Sequence, residues 1–185
     1  TKLFIKKVDV VNFYMGSNKG SMSRHRRVIS AIYRKTEAIK SPELKPIQKL
    51  ASLALAFSMA WEKRSKIKQA TYLRDKGVIV ICDRYPQIEL SGRNDGPKLP
   101  RVYKNSNNPF FRFLMRLEIN MYSSSEKSRP NFIFKILVDP KVLSERRDMD
   151  LGDVIIKQDG IKSLSFGGAE IVEINGNNSI EQVSS

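Results

Sequence analysis

Cysteine and histidine are nearly missing from this 185-residue chain, which holds one of each, Cys82 and His25. A single cysteine excludes an internal disulfide framework and fits a reducing compartment, so a cytoplasmic location is expected. A single histidine excludes most zinc sites built on paired His and Cys. Carboxylates are scarce as well: 19 Asp and Glu stand against 33 Lys and Arg, a net charge of +14. Long apolar runs are also lacking. The longest, Leu50 to Trp61, is interrupted by Ser52 and Ser58, well short of the roughly 20 residues that span a bilayer. It is expected as a buried helix, and no membrane partner is expected. Residues 1–30 carry no apolar segment of the signal-peptide kind.

Hydrophobic residues at 41% and charged residues at 28% are enough for a folded core. At this length, one domain over residues 1–185 is expected. The basic excess ends near residue 147, beyond which Lys157 and Lys162 are the only cations. Such a charge calls for phosphate-rich partners: nucleotides, nucleic acid or an anionic surface.

The hydrophobic pattern predicts alternating strands and helices. Val8–Tyr14 is β-branched and aromatic and reads as a strand. Met15–Ser23 reads as a loop, and Arg24–Ile39 has amphipathic helical spacing. Thr1–Lys7 reads as the end of a preceding element. Ile47–Lys76 is the longest helical signal, apolar in its first half and basic in its second, with Gly77 as its stop. Val78–Cys82 and Phe132–Val138 are continuous apolar runs and are expected as strands buried on both faces. Pro86–Asn108 reads as a long polar loop. Pro109–Ser123 reads as a helix, and Pro140–Arg147 as another opened by its proline. Ala169–Ile174 reads as a last strand, and Ser179–Val183 as the start of a helix. A long helix followed at once by a buried strand is the rhythm of a parallel α/β sheet.

Three motifs carry chemistry. Asp83-Arg84-Tyr85 sits where the 78–82 strand ends, the edge at which open α/β sheets bind ligands. A carboxylate there can hold a metal-bound water, and a guanidinium can clamp phosphate oxygens in bidentate fashion. Both are needs of phosphoryl transfer. Ser144-Glu145-Arg146-Arg147 follows the second apolar strand by one short helix, within reach of an anion above the same edge. Met15–Gly20 bears glycine after a strand, but Lys19 precedes Gly20, so the phosphate-loop pattern G-x-x-x-x-G-K-[ST] is not met. The basic run Arg24, Arg26, Arg27, Arg34, Lys35 reads as a solvated face. No aromatic platform accompanies it, and nucleic acid is not favoured as a partner. His25 is expected at the surface and Cys82 as a small core residue.

Taken in order, VDVVNFYMGSNKG, GVIVICDRYP, SGRNDGPKLP and RPNFIFKILVDPKVLSERR resemble a thymidylate kinase-like protein of the P-loop NTPase class. The resemblance covers most of residues 8–147 and weakens beyond. It implies a three-layer fold: a parallel sheet flanked by helices. It implies ATP-dependent phosphoryl transfer to a nucleoside monophosphate or related acceptor, with ATP and Mg²⁺ as cofactors. Arg84 would hold the acceptor phosphate, Asp83 would assist through Mg²⁺ or the phosphates, and Tyr85 would line the acceptor pocket. Arg146 and Arg147 would serve the ATP and lid side, and 148–165 would be the lid. The family's first strand and Walker A loop would lie before Thr1, between the two apolar strands in the sheet. The chain is therefore expected as an N-terminally incomplete domain, with no kinase activity by itself and with open strand edges. A homodimer is left open. The rival readings are a non-catalytic nucleotide-binding or regulatory module and a basic nucleic-acid-binding protein.

Overall fold

The computed structural model describes residues 9–16, 22–38 and 44–177. The expectations for Thr1–Lys7 and Ser179–Val183 lie outside these residues. The order is β1 (Val10–Tyr14), α1 (Arg24–Ala38), α2 (Lys45–Asp75), β2 (Ile79–Asp83), α3 (Leu99–Val102), α4 (Pro109–Tyr122), α5 (Ser124–Lys127), β3 (Phe132–Leu137), α6 (Pro140–Arg147), α7 (Leu151–Ser163) and β4 (Glu170–Asn175). The α/β alternation and the parallel pairing follow the sequence reading. The open strand edges do so too: among the described residues no strand joins the two pairs. β1 pairs with β2 and β3 with β4, giving two parallel pairs, each joined by a crossover of two helices.

Local chemistry explains the boundaries. Proline stands in the first turn of α2, α4 and α6, where its missing N–H costs nothing. Asn108 caps α4 by accepting from the Phe110 N–H at 2.9 Å, and Asp139 caps α6 by accepting from Lys141 at 2.8 Å. Gly77, at φ +82°, closes α2 and turns the chain into β2.

The core centres on Met15, Ile67 and Ala70, with Phe13, Val80, Cys82 and Tyr85 packed against them. Helix α2 is the hub, touching α1, α4, α5 and β2. The expectation that both apolar strands are covered on two faces is corrected. Val80 and Cys82 face the core, but Ile79 and Ile81 are more than half exposed. On β3, Phe132, Phe134 and Ile136 are likewise exposed. Leu50 and Trp61, expected inside, also lie at the surface of α2. A strand rich in Val, Ile and Phe reads as doubly buried, yet the described residues supply a helical layer for one face only.

The inward face of β3 carries a cation. Lys135 is 4% exposed, and its ammonium donates to the Lys162 and Leu164 carbonyls, both at 2.8 Å, closing the C-terminal end of α7. Lys135→Met keeps the aliphatic stem and strips both carbonyls of their donor. Urea unfolding is expected to show a loss of about 2 kcal/mol.

Candidate functional site

Arg84 is the first residue beyond β2 and sits in the left-handed region at φ 62°. Such a conformation costs a non-glycine side chain of the order of 1–3 kcal/mol and persists where its surroundings impose it. Two contacts do so. Met15 N–H donates to the Asp83 carbonyl at 2.9 Å, tying the exit of β1 to that of β2. Gly16 then lies so close that an added Cβ would overlap the Arg84 side chain and the Tyr14 ring. Asp83 ends β2 with an exposed carboxylate.

Below this edge lies a charged network that sequence reading missed. Arg84 Nη1 stands 3.8 Å from Asp95 Oδ2. The other oxygen of Asp95 pairs with Lys63 Nζ at 2.9 Å, and Lys63 also donates to the Asp95 carbonyl at 2.8 Å. The residue before Lys63, Glu62, bridges Arg26 and Lys66, each at 3.0 Å. Lys66 also donates to the Tyr14 carbonyl at the end of β1. Glu118, fully buried on α4, accepts the Lys98 and Leu99 N–H groups at 2.9 and 2.7 Å. Around the edge, five cations (Arg26, Lys63, Lys66, Arg84 and Lys98) stand against four carboxylates (Glu62, Asp83, Asp95 and Glu118). The surplus of positive charge suits a multiply charged anion.

The electrostatics follow from burial. Desolvation pulls the Lys63 ammonium below its ordinary range, and Asp95 partly restores it. Desolvation pushes the Glu118 carboxyl up, with the two backbone N–H groups opposing. For Glu62, burial raises, but hydrogen bonds from Lys66 and Arg26 outweigh it and hold the carboxyl below the usual range.

The loop after β2 is ordered by one side chain. Gln87 is 2% exposed. Its Nε2 donates to the Leu90, Arg93 and Asn94 carbonyls, and its Oε1 accepts the Leu90 N–H at 2.7 Å. This turn holds Asn94 and Asp95 at φ 45° and 64°, so three left-handed non-glycine residues meet at one site.

The other sequence-predicted residues are placed as follows. Tyr85 lies beside Arg84 but spends its hydroxyl on the Ser125 and Ser128 carbonyls at 3.1 and 2.7 Å, tying β2 to α5. Arg146 and Arg147 lie exposed in the last turn of α6. Residues 151–163 of the expected lid form helix α7, anchored by buried Val154 and by Gln158 donating to the Val138 carbonyl. In the basic run, Arg24, Arg27, Arg34 and Lys35 are exposed as expected, whereas Arg26 is 2% exposed and paired with Glu62. His25 is exposed, and Cys82 packs at the core margin with burial raising its thiol pKa. Among the described residues, no cluster of His, Cys, Asp and Glu could hold a metal ion by itself. None of the described helices is long and apolar enough to cross a membrane.

Comparison with known proteins places the chain near two Escherichia coli K12 proteins. It is 25% identical over 140 residues to the uncharacterized ATP-binding protein YghS, covering 75% of this chain and 58% of that protein. It is 26% identical over 151 residues to the uncharacterized ATP-binding protein YghR, covering 80% and 58%. The chain thus spans somewhat over half the length of the curated relatives it matches. No family model and no solved structure matches.

Proposed function

We propose that this chain is the acceptor-binding and lid portion of an ATP-dependent phosphotransferase of the thymidylate kinase-like class. The observation that carries this reading is Arg84: a strained arginine at the carboxyl edge of a parallel strand, braced by a buried acid that is itself braced by a buried lysine. The ATP-binding names of the relatives support the nucleotide half of the reading. In this role Arg84 clamps the phosphate of a nucleoside monophosphate or related acceptor. Asp95 and Lys63 orient it, and Tyr85 fixes the segment through α5. Arg146 and Arg147 serve the ATP side, and α7 belongs to the lid.

Asp83 presents an exposed carboxylate with no ion-pair partner among the described residues. That fits Mg²⁺ held jointly by one carboxylate and nucleotide phosphates, not by a cage of protein ligands. When bound, the ion would neutralise phosphate charge. The Walker A pattern G-x-x-x-x-G-K-[ST] does not occur in these 185 residues. Among the described residues β2 and β3 each keep an unpaired edge, which a further strand carrying a Walker A loop would fill, and helices packed beside that strand would cover the bare apolar faces. A cytoplasmic enzyme, either monomer or homodimer, is proposed.

The test is acceptor-dependent ADP release by a protein that joins this chain to a Walker A segment, screened across nucleoside monophosphates. Turnover with one of them is expected. ATP binding without any acceptor-dependent turnover would favour the non-catalytic nucleotide-binding module instead.

A further inference from the structure

The turn that braces Arg84 also touches α7. Asn94 Nδ2 donates to the Lys157 carbonyl of that helix at 3.4 Å. Its amide occupies the notch left by Gly160: a Cβ built there would overlap Asn94 Nδ2 and crowd Leu90 Cδ1. The next residue, Asp95, carries the ion pairs to Lys63 and Arg84. Two consecutive left-handed residues therefore hold α7 with one side chain and the anion site with the other.

We propose that Asn94 is a positioning residue: seated against Gly160, it couples the placement of α7 to the orientation of Arg84 through Asp95. The inference rests on the anion-site reading above. A glycine inside a helix ordinarily weakens it relative to alanine. At Gly160 the Asn94 amide takes the place of a Cβ, and a side chain there would turn that amide away. Gln87 holds the carbonyls of this turn and Lys63 holds Asp95, while the Asn94 amide ties the turn to α7, so without it Asp95 and Arg84 lose that link to the helix. Anion affinity should then fall.

Gly160→Ala, Asn94→Gly and the double variant close a thermodynamic cycle in the 185-residue chain. The probe is sulfate, a dianion throughout the working pH range, titrated against backbone amide NMR shifts near Arg84. Asn94→Gly suits the positive φ and removes only the amide tether. Each single variant is expected to bind sulfate about fivefold more weakly or worse, with the double variant no weaker than either single one. Helix content and melting temperature should not fall in Gly160→Ala. Equal or tighter binding in Asn94→Gly overturns the coupling. So do single losses that multiply in the double variant, because the two sites would then act separately. Should Gly160→Ala fail to fold, Asn94→Gly alone still decides. A wild-type chain that does not respond to sulfate overturns the anion site itself, an outcome distinct from a wild-type response that the variants share.

Discussion

Under the proposed phosphotransferase reading, Arg84→Ala in a protein that joins this chain to a Walker A segment is expected to lower turnover by about 10²- to 10³-fold, the scale seen when one preorganised donor to a developing charge is removed. Melting temperature should not fall. The arginine side chain is 42% exposed, and its ion pair to Asp95 at 3.8 Å is loose, so its contribution to folding is small. Arg84→Lys is expected to recover little, because a point ammonium cannot grip two oxygens in a plane. Steady-state kinetics with varied acceptor separates the outcomes. A rise in KM with unchanged kcat would mean that Arg84 binds the acceptor without acting in transfer. Unchanged kcat/KM would remove Arg84 from the site.

Glu62→Ala should have the largest effect on folding. The carboxylate sits between Arg26 and Lys66, and Arg26 is 2% exposed. Removing one member of such a buried set leaves uncompensated cations and costs about 3–5 kcal/mol. Urea unfolding of Glu62→Ala against wild type measures this. Replacing Arg26, Glu62 and Lys66 together by apolar residues should recover most of the loss. The pH dependence has a definite sign. The folded carboxyl of Glu62 titrates below its ordinary value of 4.5. Its stabilisation is therefore complete above that value and is lost as pH falls through the depressed one. Glu118 works the other way: its raised pKa makes ionisation unfavourable in the fold, so its contribution weakens as pH rises from 4.5 through the folded value. Glu62→Gln should flatten the acid limb of the stability profile, and an unaltered limb would exclude Glu62 as its source.

The strands and main helices were legible because their signals are local. Gly77, Pro109 and Pro140 punctuate the chain where helices end or begin. Helix α7 was not legible. It contains Gly152 and Gly160, and its buried stripe is only Val154 and Gln158, the second of them polar. The capping aspartate, Asp150 accepting from Asp153 N–H, was the signal available. At the site, Asp83 and Arg84 could be found because a charged pair directly after an apolar strand is conspicuous. Asp95 and Glu118 could not, because their importance comes from contacts across 32 and 19 positions of chain. Glu118 is nevertheless the only carboxylate between Asp95 and Glu126. Arg26 was hidden among exposed arginines of the same helix. The strands' bare faces also escaped prediction, since apolar pattern reports what a strand can bury and not what arrives to cover it.

The left-handed backbone at position 84 sets two selective pressures against each other. Glycine is the residue that geometry prefers there, so a library sorted only for heat resistance should enrich it. On the proposed reading, the survivors would be sturdier proteins with nothing to grip a phosphate. At this one position, robustness and the proposed purpose pull in opposite directions.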